Sequence, residues 1–124
     1  MHYKCHLFMN KVPDAIKVED ILKPFKRSDD ADEYSSNVVF VYDWYDVGGR
    51  YSVWNGGVMK LKNLKHFAAP DCFIVMDENG NAVTRDSFFA LPGRNNEEFD
   101  SRAWEMYERH KKDGYVVVLD ICTK

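Results

Sequence analysis

A chain of 124 residues, 45% hydrophobic and 30% charged, is sized for one domain, residues 1–124, that buries a core without disulfides or metals. Its net charge of −3 argues against a protein whose main work is coating a nucleic-acid backbone, which takes a surplus of Lys and Arg. No apolar run approaches the roughly 20 residues needed to span a bilayer, so neither direct nucleic-acid binding nor membrane insertion is expected.

His2 to Met9 alternates as a strand, with Tyr3, Cys5, Leu7 and Met9 on one face. Pro13 turns the chain, and Val18, Ile21, Leu22 and Phe25 form one stripe of a short helix that stops near Pro24. Asp29, Asp30, Asp32 and Glu33 follow in a run with no bases, read as an exposed acidic loop. Val38 to Tyr45 is rich in β-branched and aromatic residues and predicts a strand covered on both faces. Gly48-Gly49 tolerates positive φ and allows a reversal, Arg50 to Trp54 then returns as a strand, and Val58 to Lys62 follows Asn55-Gly56-Gly57 as a third. The expectation is a three-stranded meander.

Cys72 to Met76 is a strongly apolar strand, Asp77 to Asn81 a turn, and Ala82 to Arg85 the return strand of a second hairpin. Ser87 to Asn96 is an apolar loop carrying Phe88 and Phe89. Asn95 or Asn96 caps the next helix, whose start is acidic at Glu97, Glu98 and Asp100 and whose end is basic at His110, Lys111 and Lys112. Phe99, Ala103, Met106, Tyr107 and His110 form its buried stripe, with Trp104 at the margin, and Tyr115 to Cys122 closes the chain as an internal strand. The order predicts an α+β two-layer sandwich, a mainly antiparallel sheet with two helices on one face in a ferredoxin-like plan.

The candidate site centres on Asp43, Asp46, Gly48, Gly49 and Arg50. Arg50 is expected to tie the two carboxylates as a bidentate fork, or Gly48 and Gly49 form a backbone nest for a phosphate or other small anion. Asp43 and Asp46 with an acid from the 29–33 run are the ligands of a third possibility, a Mg²⁺-dependent nuclease. Cys5, His6 and Cys122 are the zinc candidates, but Cys5 and His6 point to opposite faces of a strand, so no metal and no cofactor is expected. Three widely spaced cysteines and the lack of a charged-then-apolar leader imply a reducing cytoplasm.

Tyr42 to Ser52 fits throughout the motif (W/Y)-D-W-Y-x-x-G-G-R-(W/Y)-S, and in this stretch the chain resembles a group of phage and prophage proteins. Ile21-Leu22-Lys23-Pro24-Phe25 is similar to their early I-L-x-P-(Y/F) segment, and Val116 to Cys122 is similar to their closing V-x-V-V-D-C-H strand. Here the segment between the two early motifs is short. The end reads Asp-Ile-Cys, so no ligand role is expected of it. The resemblance implies a small accessory protein of a mobile element, acting in the cytoplasm of a bacterial host. The function expected from it is binding, not catalysis: docking on a host protein, such as a nucleic-acid-binding defence complex, as an anti-CRISPR-like inhibitor. Asp29, Asp30, Asp32, Glu33, Tyr34, Phe88 and Phe89 are the expected contact residues, and the protein is expected to be a monomer or a homodimer.

Overall fold

A computed structural model of the protein describes residues 1–27, 39–51, 57–64, 72–85 and 96–123. The architecture is α+β, a mixed sheet with two α-helices among the described residues. Its strands are β1 (His2–Met9), β2 (Trp44–Val47), β3 (Val58–Lys60), β4 (Ile74–Asp77), β5 (Ala82–Thr84) and β6 (Tyr115–Cys122). The helices are α1 (Ala15–Leu22), capped by Asp14 accepting from the Lys17 N–H at 2.8 Å, and α2 (Asn96–His110).

β1 and β6 pair antiparallel over their whole length, from His2 opposite Cys122 to Met9 opposite Tyr115. β4 lies parallel to the other edge of β1, and β5 pairs antiparallel with β4, as expected of the second hairpin. A ferredoxin-like plan alternates strand directions throughout. Here the first strand of the β4–β5 hairpin, not the second, sits against β1, which makes that pair parallel.

The helices also divide differently from the expectation of one shared face. Cys5, Leu7, Met9, Val117, Leu119 and Ile121 pack with Val18 and Leu22 of α1. Phe8, Val75 and Val116, from the other face of the same strands, pack with Phe99, Ala103 and Met106 of α2. The sheet is therefore sandwiched between the helices. Both faces of β1 and β6 carry apolar residues, and each face needs its own cover.

The expected meander is not seen among the described residues, and positions 52–54 of its middle strand lie outside them. β2 and β3 both pair with β6, Val47 opposite Leu119 and Val58 opposite Val117, and so follow one another along a single edge. Gly48 continues the ladder by donating to Val118 O at 2.7 Å. The chain leaves the edge there into a 3-10 turn at Gly49–Tyr51, and the next residue paired on that edge is Val58. A Cβ on Gly57 would lie 2.7 Å from the Gly48 nitrogen, so the two ends of the detour touch backbone to backbone. The expected strand at 38–45 is cut back to β2. Phe40 and Tyr42 are buried toward α1 instead, with Tyr42 exchanging backbone hydrogen bonds with Phe25 and Arg27 and Phe40 stacked on Phe25 at 4.6 Å.

Candidate metal centre

On the α2 side of the sheet, the helix covers the half that contains Phe8 and Val116, while the Gly49–Tyr51 turn lies over the other half. There β1 begins and β6 ends, so His2 and Cys122 are direct cross-strand partners. Asp120 precedes Cys122 by two residues and so shares its face. Asp46 of β2 is the partner of Asp120, and Trp44 that of Cys122. On the far side of Asp120, Lys4 of β1 completes the row.

Three ligand-type atoms converge at this end. His2 Nδ1 is 2.7 Å from Asp120 Oδ1, Cys122 Sγ is 3.3 Å from the same nitrogen, and Sγ is 3.6 Å from Asp120 Oδ1. Asp120 and Cys122 are buried, and the His2 side chain keeps 30% of its surface in solvent. The second oxygen of Asp120 accepts the Arg50 backbone N–H at 3.1 Å, and the Tyr51 hydroxyl donates to the His2 carbonyl at 3.1 Å. The turn thus holds both strands at the site.

Gly49 makes the approach sterically feasible. Its φ is +52°, and a Cβ there would sit 2.5 Å from Asp120 Cβ and 2.6 Å from Oδ2. Only glycine lets the backbone lie on the carboxylate.

Burial works against ionisation of Asp120, but the Arg50 N–H, then the hydrogen bond and charge of His2, and the Cys122 thiol outweigh it and hold the carboxyl below its ordinary value. Cys122 moves the other way. Burial first, then the Asp120 carboxylate and the charge of Asp46, push its thiol up to about 11.

A thiol so raised is not a thiolate nucleophile at neutral pH. A nucleophilic triad also needs its cysteine and its acid on different nitrogens of the histidine, whereas here both contacts fall on Nδ1. A cation between the three groups changes the balance, because it favours thiolate and carboxylate together. Tetrahedral zinc with bonds of about 2.0 to 2.3 Å places its ligand atoms roughly 3.3 to 3.7 Å apart. The two contacts of Cys122 already fall on that scale, and the 2.7 Å pair reaches it by opening about 0.6 Å.

The expected site residues are only partly brought together. Asp43 pairs with Arg27, Nε to Oδ1 at 3.1 Å, beside a groove lined by Glu19, Lys23 and Tyr42. Asp46 stands on the opposite face next to Asp120. The Asp43–Asp46–Arg50 fork does not form, nor do Asp43 and Asp46 converge as a nuclease pair would. The Arg50 N–H donates to the protein's own Asp120 carboxylate and Gly49 lies against it, while the Gly48 N–H goes to Val118 O. Asp29, Asp30, Asp32, Glu33, Tyr34, Phe88 and Phe89 lie outside the described residues.

His2 and Asp120 are absent from the expected site, and Cys122 enters the sequence reading only in a zinc set with Cys5 and His6 that strand alternation excludes. The pattern was present as Asp-x-Cys on one face of the last strand, but it gains meaning only once His2 is known to stand opposite Cys122. All three cysteines are buried free thiols. No helix among the described residues is long and apolar enough to cross a membrane. Comparison of the chain with protein-family models, with curated proteins and with solved structures finds no match to any of them.

Proposed function

We propose that this protein binds a divalent transition-metal ion of the zinc class, held by His2 Nδ1, a carboxylate oxygen of Asp120 and the Cys122 thiolate. The reading is carried by the convergence of one nitrogen, one oxygen and one sulfur within 3.6 Å of each other. One ligand of each type suits a borderline ion better than Mg²⁺ or Ca²⁺, which take oxygen. Asp120 is held in place from behind by the Arg50 N–H, the kind of outer support that orients metal ligands. Bound there, the ion clamps the start of β1 to the end of β6 and fixes the turn that carries the Gly-Gly-Arg motif.

Cobalt provides the test. Metal-free protein titrated with Co²⁺ alone is expected to develop a thiolate-to-cobalt absorption band at one equivalent, and Zn²⁺ is expected to displace it. Cys122→Ser, checked for folding by circular dichroism, loses the band. A folded wild-type protein that shows no band at one equivalent overturns the reading.

Docking on a host protein in the bacterial cytoplasm, as an inhibitor of a defence complex, is the second reading. Trp44 and Val47 favour it, exposed by 46% and 41% on β2, at the end of the strand order. A host protein that co-purifies with the wild type and is lost from Trp44→Ala and Val47→Asp supports it. Equal recovery with all three refutes a role for β2.

A further inference from the structure

The three-ligand centre leaves one position of a tetrahedron to fill. Resting on that centre, we infer that Asp46 supplies the fourth ligand, so that the ion joins three strands, β1, β6 and β2. Asp46 is the cross-strand partner of Asp120 and so projects from the same face, one strand over. Like charges placed directly opposite one another across a ladder destabilise a sheet. Asp120 has its own partners in His2 and Arg50. The side chain of Asp46 is exposed, and it makes no hydrogen bond or ion pair among the described residues. Lys4, across the row on β1, flanks Asp120 from the side away from Asp46.

A cation between the strands resolves this arrangement. It converts the repulsion between Asp46 and Asp120 into a shared attraction and gives the ion a nitrogen, a sulfur and two oxygens, a closed set of the kind found in structural sites. The ion then serves as a staple for the open edge of the sheet. A centre with a water in the fourth position would instead have the open form typical of catalysis.

The experiment uses the full chain, purified without a histidine tag and stripped of metal, with Zn²⁺ and Co²⁺ as the only probes. Asp46→Asn is expected to lower affinity by on the order of ten-fold in competition with a chromogenic chelator, because it loses a direct ligand. It keeps the thiolate-to-cobalt band, since Cys122 is untouched. Asp43→Asn, in the same segment but paired with Arg27, leaves affinity unchanged.

Thermal melts supply a second readout of opposite sign. Without metal, Asp46→Asn raises the midpoint, because a repulsion is gone. With zinc it shows a smaller metal-induced rise than the wild type. Equal cobalt affinity in Asp46→Asn and wild type, with the band intact in both, overturns the assignment of Asp46 and leaves the three-ligand centre standing. Absence of the band from the wild type removes the centre itself, and this inference with it.

Discussion

Gly49→Ala is the most direct probe of the packing at the site. The substitution forces an L-residue to hold φ at +52°, which costs roughly 1 kcal/mol. The new methyl also lands 2.5 Å from Asp120 Cβ, where carbon atoms normally rest about 3.5 to 4.0 Å apart. Relief takes a displacement of about 1 Å, enough to carry the Arg50 N–H out of hydrogen-bonding range of Asp120 Oδ2, and a bond to a charged group is worth about 1.5 to 3 kcal/mol. The sum is a loss of about 3 kcal/mol, or roughly 10 °C in melting midpoint for a domain of this size. Gly80→Ala is the control, because Gly80 has a φ of +83° but no atom within 4 Å of its would-be Cβ, so only the backbone term of about 1 kcal/mol remains. Urea unfolding of the metal-free proteins, followed by far-ultraviolet circular dichroism, measures both. If Gly49→Ala loses no more than Gly80→Ala, the close approach to Asp120 contributes nothing and the argument for Gly49 fails.

Two further outcomes follow from the core. Burial, then the charges of Tyr45 and Glu19, raise the Tyr42 phenol from 10.0 to about 12, so the fold prefers the neutral ring. That preference is fully present below pH 10 and is lost as pH rises through 12. Stability of the wild type should drop across that window by up to about 2.5 kcal/mol more than that of Tyr42→Phe, and parallel alkaline limbs for the two would contradict the assignment. Leu22→Ala and Phe99→Ala each empty a fully buried site and should cost about 2 to 5 kcal/mol apiece. Since the sheet separates them, the double variant should lose their sum to within about 0.5 kcal/mol; coupling well beyond that would place both helices in one core.

The elements with strong local signals were legible in the sequence. β1 runs over the residues that its alternation marks and β6 over the closing run that is apolar on both faces, and α2 is bounded by acids at its start and bases at its end. The β4–β5 hairpin followed from an apolar run beside a turn-rich pentapeptide. Partnership between strands was not legible. Val38 to Tyr45 looked like a strand because Phe40 and Tyr42 are β-prone, but their rings are buried against Phe25 and its neighbours, which is a tertiary preference. Alternating apolar residues in β1 revealed two faces without saying which helix would cover each.

The site suffered most from this gap, since His2 lies 118 positions from Asp120 and 120 from Cys122 and is joined to them only by register. The Gly-Gly-Arg segment carries two readings in sequence, a fork from Arg50 to Asp43 and Asp46 or a backbone nest for an anion. Neither reading names Asp120, the carboxylate that the Arg50 N–H meets on a strand 70 residues away.

The edge formed by β2 and β3 has a further meaning. Gly48 bonds to Val118, and the next position along β6, Val117, is already met by Val58. Spliced at those two residues, the ladder would run on without a slip, and Val47 and Val58 would still face α1 with Gly48 turned away between them. In architectural terms, the Gly49–Tyr51 turn is a side chapel opening off a finished wall. The N–H of Arg50 and the hydroxyl of Tyr51 reach Asp120 and His2, so a change in this turn is felt first at the site and, through Asp120, in the strands that the site joins.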